Sequence, residues 1–115
     1  MDIEELRELF CVKISLEYSK FKAKMLCNQP EQIYGEAYHV DCIINIYELL
    51  LEKSQKIEGK TLLRLLLFPN LLAFCYERWL KQQDSYDKEM EECITESILE
   101  LKSNYIFEEL GGLVA

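Results

Sequence analysis

Histidine is nearly missing from this chain: its 115 residues include one, His39. Metal sites built on paired imidazoles, and catalysis by a nucleophile with a histidine base, have little to draw on. Glycine and proline are scarce too, at four and two. Gly35 falls within a helical pattern, Gly59 in a connector and Gly111-Gly112 near the end, so no glycine-rich loop is available to cradle a phosphate. The five cysteines (11, 27, 42, 75 and 93) are odd in number and form no C-x-x-C pair. They read as reduced thiols on or beside apolar helix faces, and a zinc site is not expected. A membrane span is excluded as well, because it needs roughly 20 predominantly apolar residues. The densest apolar stretch, "LLRLLLFPNLLAFCYERWL" from Leu62 to Leu80, carries Arg64 and is interrupted by Pro69-Asn70. Its longest uncharged run, Leu65 to Tyr76, is too short. No basic surplus exists either, since the net charge is −8, and direct nucleic-acid binding is not expected.

What is present is helical periodicity. Half of the residues are hydrophobic and they recur every three or four positions, with no alternating period that would mark a strand. The expectation is a single all-α domain over residues 1–115: a compact bundle of four main helices plus one short helix, with residues 106–115 as a tail that docks or frays. The first helix is predicted over about Ile3–Leu26 on the stripe Cys11, Ile14, Tyr18, Phe21, Met25. Acids open it and Lys20, Lys22 and Lys24 close it, which complements the helix dipole. "NQPEQ" ends it and starts a second helix running unbroken to about Lys53, on the stripe Ile33, Ala37, Val40, Ile44, Tyr47, Leu51. "KSQKIEGK" reads as a polar connector. A short helix near Thr61–Leu67 follows, then one from Asn70 to about Gln82 with Asn70 as N-cap. A last helix is predicted over about Ser85–Tyr105, capped by Asp84 and buried through Met90, Ile94, Leu101 and Tyr105. The acidic amino terminus, unlike a signal peptide, points to a cytoplasmic setting.

Charge is distributed unevenly. From Asp84 to Glu109 nine acids stand against Lys88 and Lys102, and Glu89, Glu92, Glu96 and Glu100 align on one face of the last helix. Such a stripe is a solvated face or, joined by Asp84 and Asp87, a surface that imitates a phosphate strand and docks on a basic protein. Tyr34 and Tyr38, four apart beside the second helix's core stripe, are candidate interface anchors, each with a large apolar area and a polar tip. Tyr76 and Trp79 read as core. Glu36 and His39 form a Glu-x-x-His step. A carboxylate-bridged metal site built on it would need a second copy of the chain, so a histidine satisfied by its neighbouring carboxylate is the expectation.

The segments "EAYHVDCIINIYELL" and "NLLAFCYERWLKQQDSYDKEMEECI" resemble a family of short, uncharacterised helical proteins from clostridial-type Firmicutes and their mobile elements, over about Ser15 to Ile98. The resemblance implies an all-helical fold and a bacterial cytoplasm, and brings no activity, cofactor or catalytic residue. The leading functional expectation is a small non-enzymatic protein, monomer or homodimer, that binds another macromolecule, in the first place a protein. The alternative is an anti-defence inhibitor of the anti-CRISPR kind, whose acidic face blocks the nucleic-acid groove of a host protein. A second alternative is a metal or redox protein using His39 and the cysteines.

Overall fold

The computed structural model describes residues 2–82 and 89–103. Among the described residues six helices follow one another: α1 (Ile3–Leu26), α2 (Pro30–Gly35), α3 (Ala37–Lys53), α4 (Gly59–Leu67), α5 (Leu71–Lys81) and α6 (Met90–Ser103). No strand occurs among the described residues, and the chain folds as an all-α bundle. No helix there is long and apolar enough to cross a membrane.

Local sequence explains where the helices begin. Asp2 accepts the Glu5 N–H at 2.9 Å and caps α1, satisfying one of the donors that a helix start leaves unpaired. Pro30 occupies the first turn of α2, and Gln32 Oε1 accepts the Gln29 N–H at 3.0 Å. Phe68 is extended before Pro69, and Asn70 then caps α5 by accepting the Ala73 N–H at 3.2 Å. A second acceptor at this helix start comes from far along the chain: Glu17 Oε1 takes the Leu72 N–H at 2.9 Å. The Glu17 carboxylate, itself paired with Lys13, thereby ties α1 to the positive end of α5.

The second predicted helix is two. The backbone leaves helical geometry at Glu36 (φ −98°, ψ 11°), so α2 and α3 meet at a bend. Glycine at position 35 lowers the helical propensity there, and α2 has no buried residue to hold it straight. The inner face of α3 is also displaced by one position from the predicted stripe. Cys42, Ile43, Ile46 and Leu50 are buried, whereas Ile44, Tyr47 and Leu51 lie at the edge. Apolar residues cover a wide arc of this helix, and packing against α1, α5 and α6 together selects the centre of that arc.

The core joins Leu6, Phe10 and Ile14 of α1 to Ile43, Ile46 and Leu50 of α3, Leu62 and Leu65 of α4, Leu71, Leu72 and Cys75 of α5, and Ile94 and Leu101 of α6. The connector before α4 is not simply polar. Ile57 is buried, and Ser54, fully buried, donates its hydroxyl to Leu51 O at 2.6 Å. α6 is held by polar clasps outside its apolar seam: Arg78 to Glu100 and Glu96, Arg64 to Lys102 O, and Lys102 to Glu58.

Candidate aromatic and acidic groove

On α3, Asp41, Asn45, Glu48 and Glu52 recur at steps of four, three and four, so they share one outward face. All four are exposed. They form one wall of an open groove of about 410 Å³, whose other side is Trp79 of α5 and Met90 of α6, with Tyr38, Cys42 and Leu49 also lining it. Trp79 Nε1 donates to Tyr38 Oη at 2.9 Å, bringing the two aromatics side by side. Both aromatics line the groove together with the Asp41, Glu48 and Glu52 carboxylates. Burial pushes the Cys42 thiol up from its ordinary value, against hydrogen bonds to Tyr38 and Trp79 that lower it and a further rise from Asp41. Cys42 is therefore a neutral thiol at pH 7 and a poor nucleophile.

A neighbouring concavity of about 470 Å³ is lined by Glu89, Glu91, Glu92, Thr95 and Glu96. Lys53 reaches across from α3 to Glu91 at 3.5 Å. Residues of the first turn of α6 thus line both, Met90 the groove and Glu91 and Glu92 the second concavity, with the Lys53 ammonium at Glu91.

The residues singled out in the sequence fall differently. Tyr38 is half exposed in the groove, while Tyr34, 85% exposed, stands on α2 beyond the bend. Glu89 and Glu92 are exposed. Glu96 and Glu100 are partly covered and engage Arg78, and Glu96 also accepts from Gln82 Nε2 at 3.1 Å. The stripe is divided, with its second half serving the α5–α6 junction. Asp84 and Asp87 lie outside the described residues, as do Tyr105 and the tail. Tyr76 is partly buried and packs against the core, as expected, while Trp79 is partly buried and lines the groove, contrary to the core expectation. α5 carries more apolar surface than its neighbours cover.

His39 Nδ1 lies 3.0 Å from Glu36 Oε2, and its ring stacks on Tyr76 with centroids 4.0 Å apart and meets the edge of Phe21. The Glu-x-x-His step is thus a local pair within an aromatic stack. No group of three or more histidine, cysteine or carboxylate side chains is arranged to hold a metal among the described residues. A second groove of about 540 Å³ beside His39 and Tyr76 includes Lys20, Lys24, Glu17 and Glu77, so its charges are mixed. Compared with family models, curated proteins and solved structures, the chain matches none.

Proposed function

We propose that the chain is a non-enzymatic binding protein of the cytoplasm, and that its α3–α5–α6 groove takes a basic segment of a protein partner. The observation that carries this reading is the hydrogen-bonded Trp79–Tyr38 pair set beside the Asp41, Glu48 and Glu52 carboxylates. A guanidinium or ammonium over an aromatic face is attracted by the ring quadrupole, and an arginine fork matches a carboxylate in two hydrogen bonds. Raised thiol pKa values at Cys42 and Cys75 favour binding over cysteine chemistry. Buried thiols also suit a reducing compartment.

The inhibitor reading is favoured by a separate feature, the acidic concavity around Glu89 and Glu92. In that case the partner's nucleic-acid groove lies against α6, and the chain acts as an anti-defence inhibitor. Both readings share a basic partner and differ in the surface used.

Trp79 is the chain's single tryptophan, so its fluorescence reports on the groove alone. Titration with an oligoarginine peptide is expected to give a saturable change in emission that weakens with salt, while an oligoglutamate gives none. Asp41→Asn with Glu48→Gln is expected to abolish it. Affinity capture from the native host with the same double variant, and separately with Glu89→Lys and Glu92→Lys, then assigns the natural partner to the groove or to α6. Absence of a saturable response to oligoarginine, or a response indifferent to the Asp41/Glu48 change, would sink the groove reading.

A further inference from the structure

On the surface made by α1 and α4, Leu9, Val12 and Leu16 stand 43%, 54% and 57% exposed, with Leu63 and Leu67 of α4 about half exposed beside them. They flank a shallow groove of about 610 Å³ between the two helices, lined also by Phe68 and Pro69. Scattered single leucines on a surface need no explanation, but a contiguous apolar patch marks an interaction site. The stripe has helical spacing, three and four residues apart, so it forms one straight ridge along α1.

We infer that this face binds a second copy of the chain through antiparallel packing of α1 on α1 about a two-fold axis. Charge order along the ridge is the argument. Continuing the stripe outward from its apolar centre gives Glu5 toward one end and Lys20 toward the other, both exposed. In an antiparallel pair centred beside Val12, residues whose numbers total about 25 lie opposite each other. Leu9 then meets Leu16 of the partner copy and Glu5 meets Lys20, and the two-fold axis repeats both pairs. Glu5 and Lys20 are separated by roughly 22 Å along the helix at a rise of 1.5 Å per residue. One register thus satisfies the apolar centre and the charged ends together. A parallel arrangement would instead set like charges against each other at both ends. Net charge does not oppose this association strongly, because α1 itself is close to neutral, with Glu4, Glu5, Glu8 and Glu17 against Arg7, Lys13, Lys20, Lys22 and Lys24, and Lys13, Glu17 and Lys20 border the α1–α4 groove. The inference is independent of the groove reading, whose residues lie on α3, α5 and α6.

Sedimentation equilibrium of the full chain across the micromolar range tests it. The expected mass is twice the 13.6 kDa of one chain. Leu16→Glu is expected to give a monomer with an unchanged helical circular-dichroism spectrum, since Leu16 is more than half exposed. Glu5→Lys alone and Lys20→Glu alone should each weaken the dimer roughly fivefold, the size of two exposed ion pairs per dimer, and the double reversal should restore it. A monomer at every concentration overturns the inference, and adsorption of that monomer to neutral phosphatidylcholine vesicles would give the face to a bilayer instead. A dimer unaffected by Leu16→Glu also overturns it, and so does a double reversal that fails to recover, because the antiparallel register is then wrong.

Discussion

The Cys75 thiol is fully enclosed between α5 and α6. Burial, reinforced by the nearby Cys93 and tempered by a hydrogen bond with Ser97, pushes its pKa from an ordinary 9.0 up to about 12. A native state that holds a proton more tightly than the unfolded chain is favoured while both are protonated. That advantage is full below pH 9 and is lost as pH rises toward 12. Chemical denaturation in reductant at stepped pH should therefore show stability falling above pH 9, with a slope of at most about 1.4 kcal/mol per pH unit from this group. Cys75→Ala should flatten that slope even though the cavity lowers stability overall, and an unchanged slope would mean that other groups set it. Some side-chain roles could be read directly from local sequence. Asn70 before an apolar helix is a cap by type and position, and Glu36, just before α3 begins, is close enough in sequence to reach His39 in its first turn. Trp79 could not be read this way, because its exposure depends on how far α3 and α6 reach around α5. Glu17 as a second acceptor at the α5 start was equally hidden, since 55 residues separate it from Leu72.

The bend between α2 and α3 is a property of the element. A Cβ built on Gly35 meets nothing within 4 Å, and no glycine among the described residues has a positive φ. Gly35→Ala should therefore stabilise the protein by about 0.5–1 kcal/mol, by reducing the freedom of the unfolded chain and favouring helix at the junction. Thermal unfolding checks it; a lower melting temperature would mean that the bend needs glycine. The start of α1, the break at Pro69 and the helical segments other than the division of α2 from α3 were accessible because caps and periodicity are local. The displacement of the buried face of α3 was not. One helical position rotates a face by about 100°, and with apolar residues spread across Val40 to Leu51 only the surrounding helices decide which of them point inward. The connector before α4 misled for a related reason: "KSQKIEGK" is polar in composition, yet Ser54 and Ile57 fill space that the meeting of α1, α3 and α4 creates.

Across the assembled bundle, the all-helical class followed from period and composition, while the groove required the third dimension. Asp41, Asn45, Glu48 and Glu52 could be placed on one face of a helix from their spacing, but nothing local to α3 foretold that Trp79 and Met90 would form the opposite wall. The acidic stripe of α6 illustrates the converse. Its alignment was evident in sequence, and the diversion of Glu96 and Glu100 to Arg78 depended on an arginine one helix away.

The α5–α6 seam also makes the molecule its own clock. Cys75 and Cys93 are both without solvent exposure and lie close together across it, so a reagent can reach either only when the helices part. A first adduct on either sulfur is too large to be enclosed again where no space is left, so it holds the seam apart and opens the second sulfur to the reagent. Under slow alkylation with iodoacetamide, intact-mass spectra with peptide mapping should show these positions passing from unmodified to doubly modified, with almost no population carrying a single adduct. The rate should rise with ionic strength, because Arg78, Glu96 and Glu100 close the seam from outside and their attraction is screened by salt. A lasting species alkylated at Cys93 alone would show instead that the last helix frays piecemeal. Under such slow alkylation the rate reads the fraction of molecules in which the final helix stands apart, in proportion to reagent concentration.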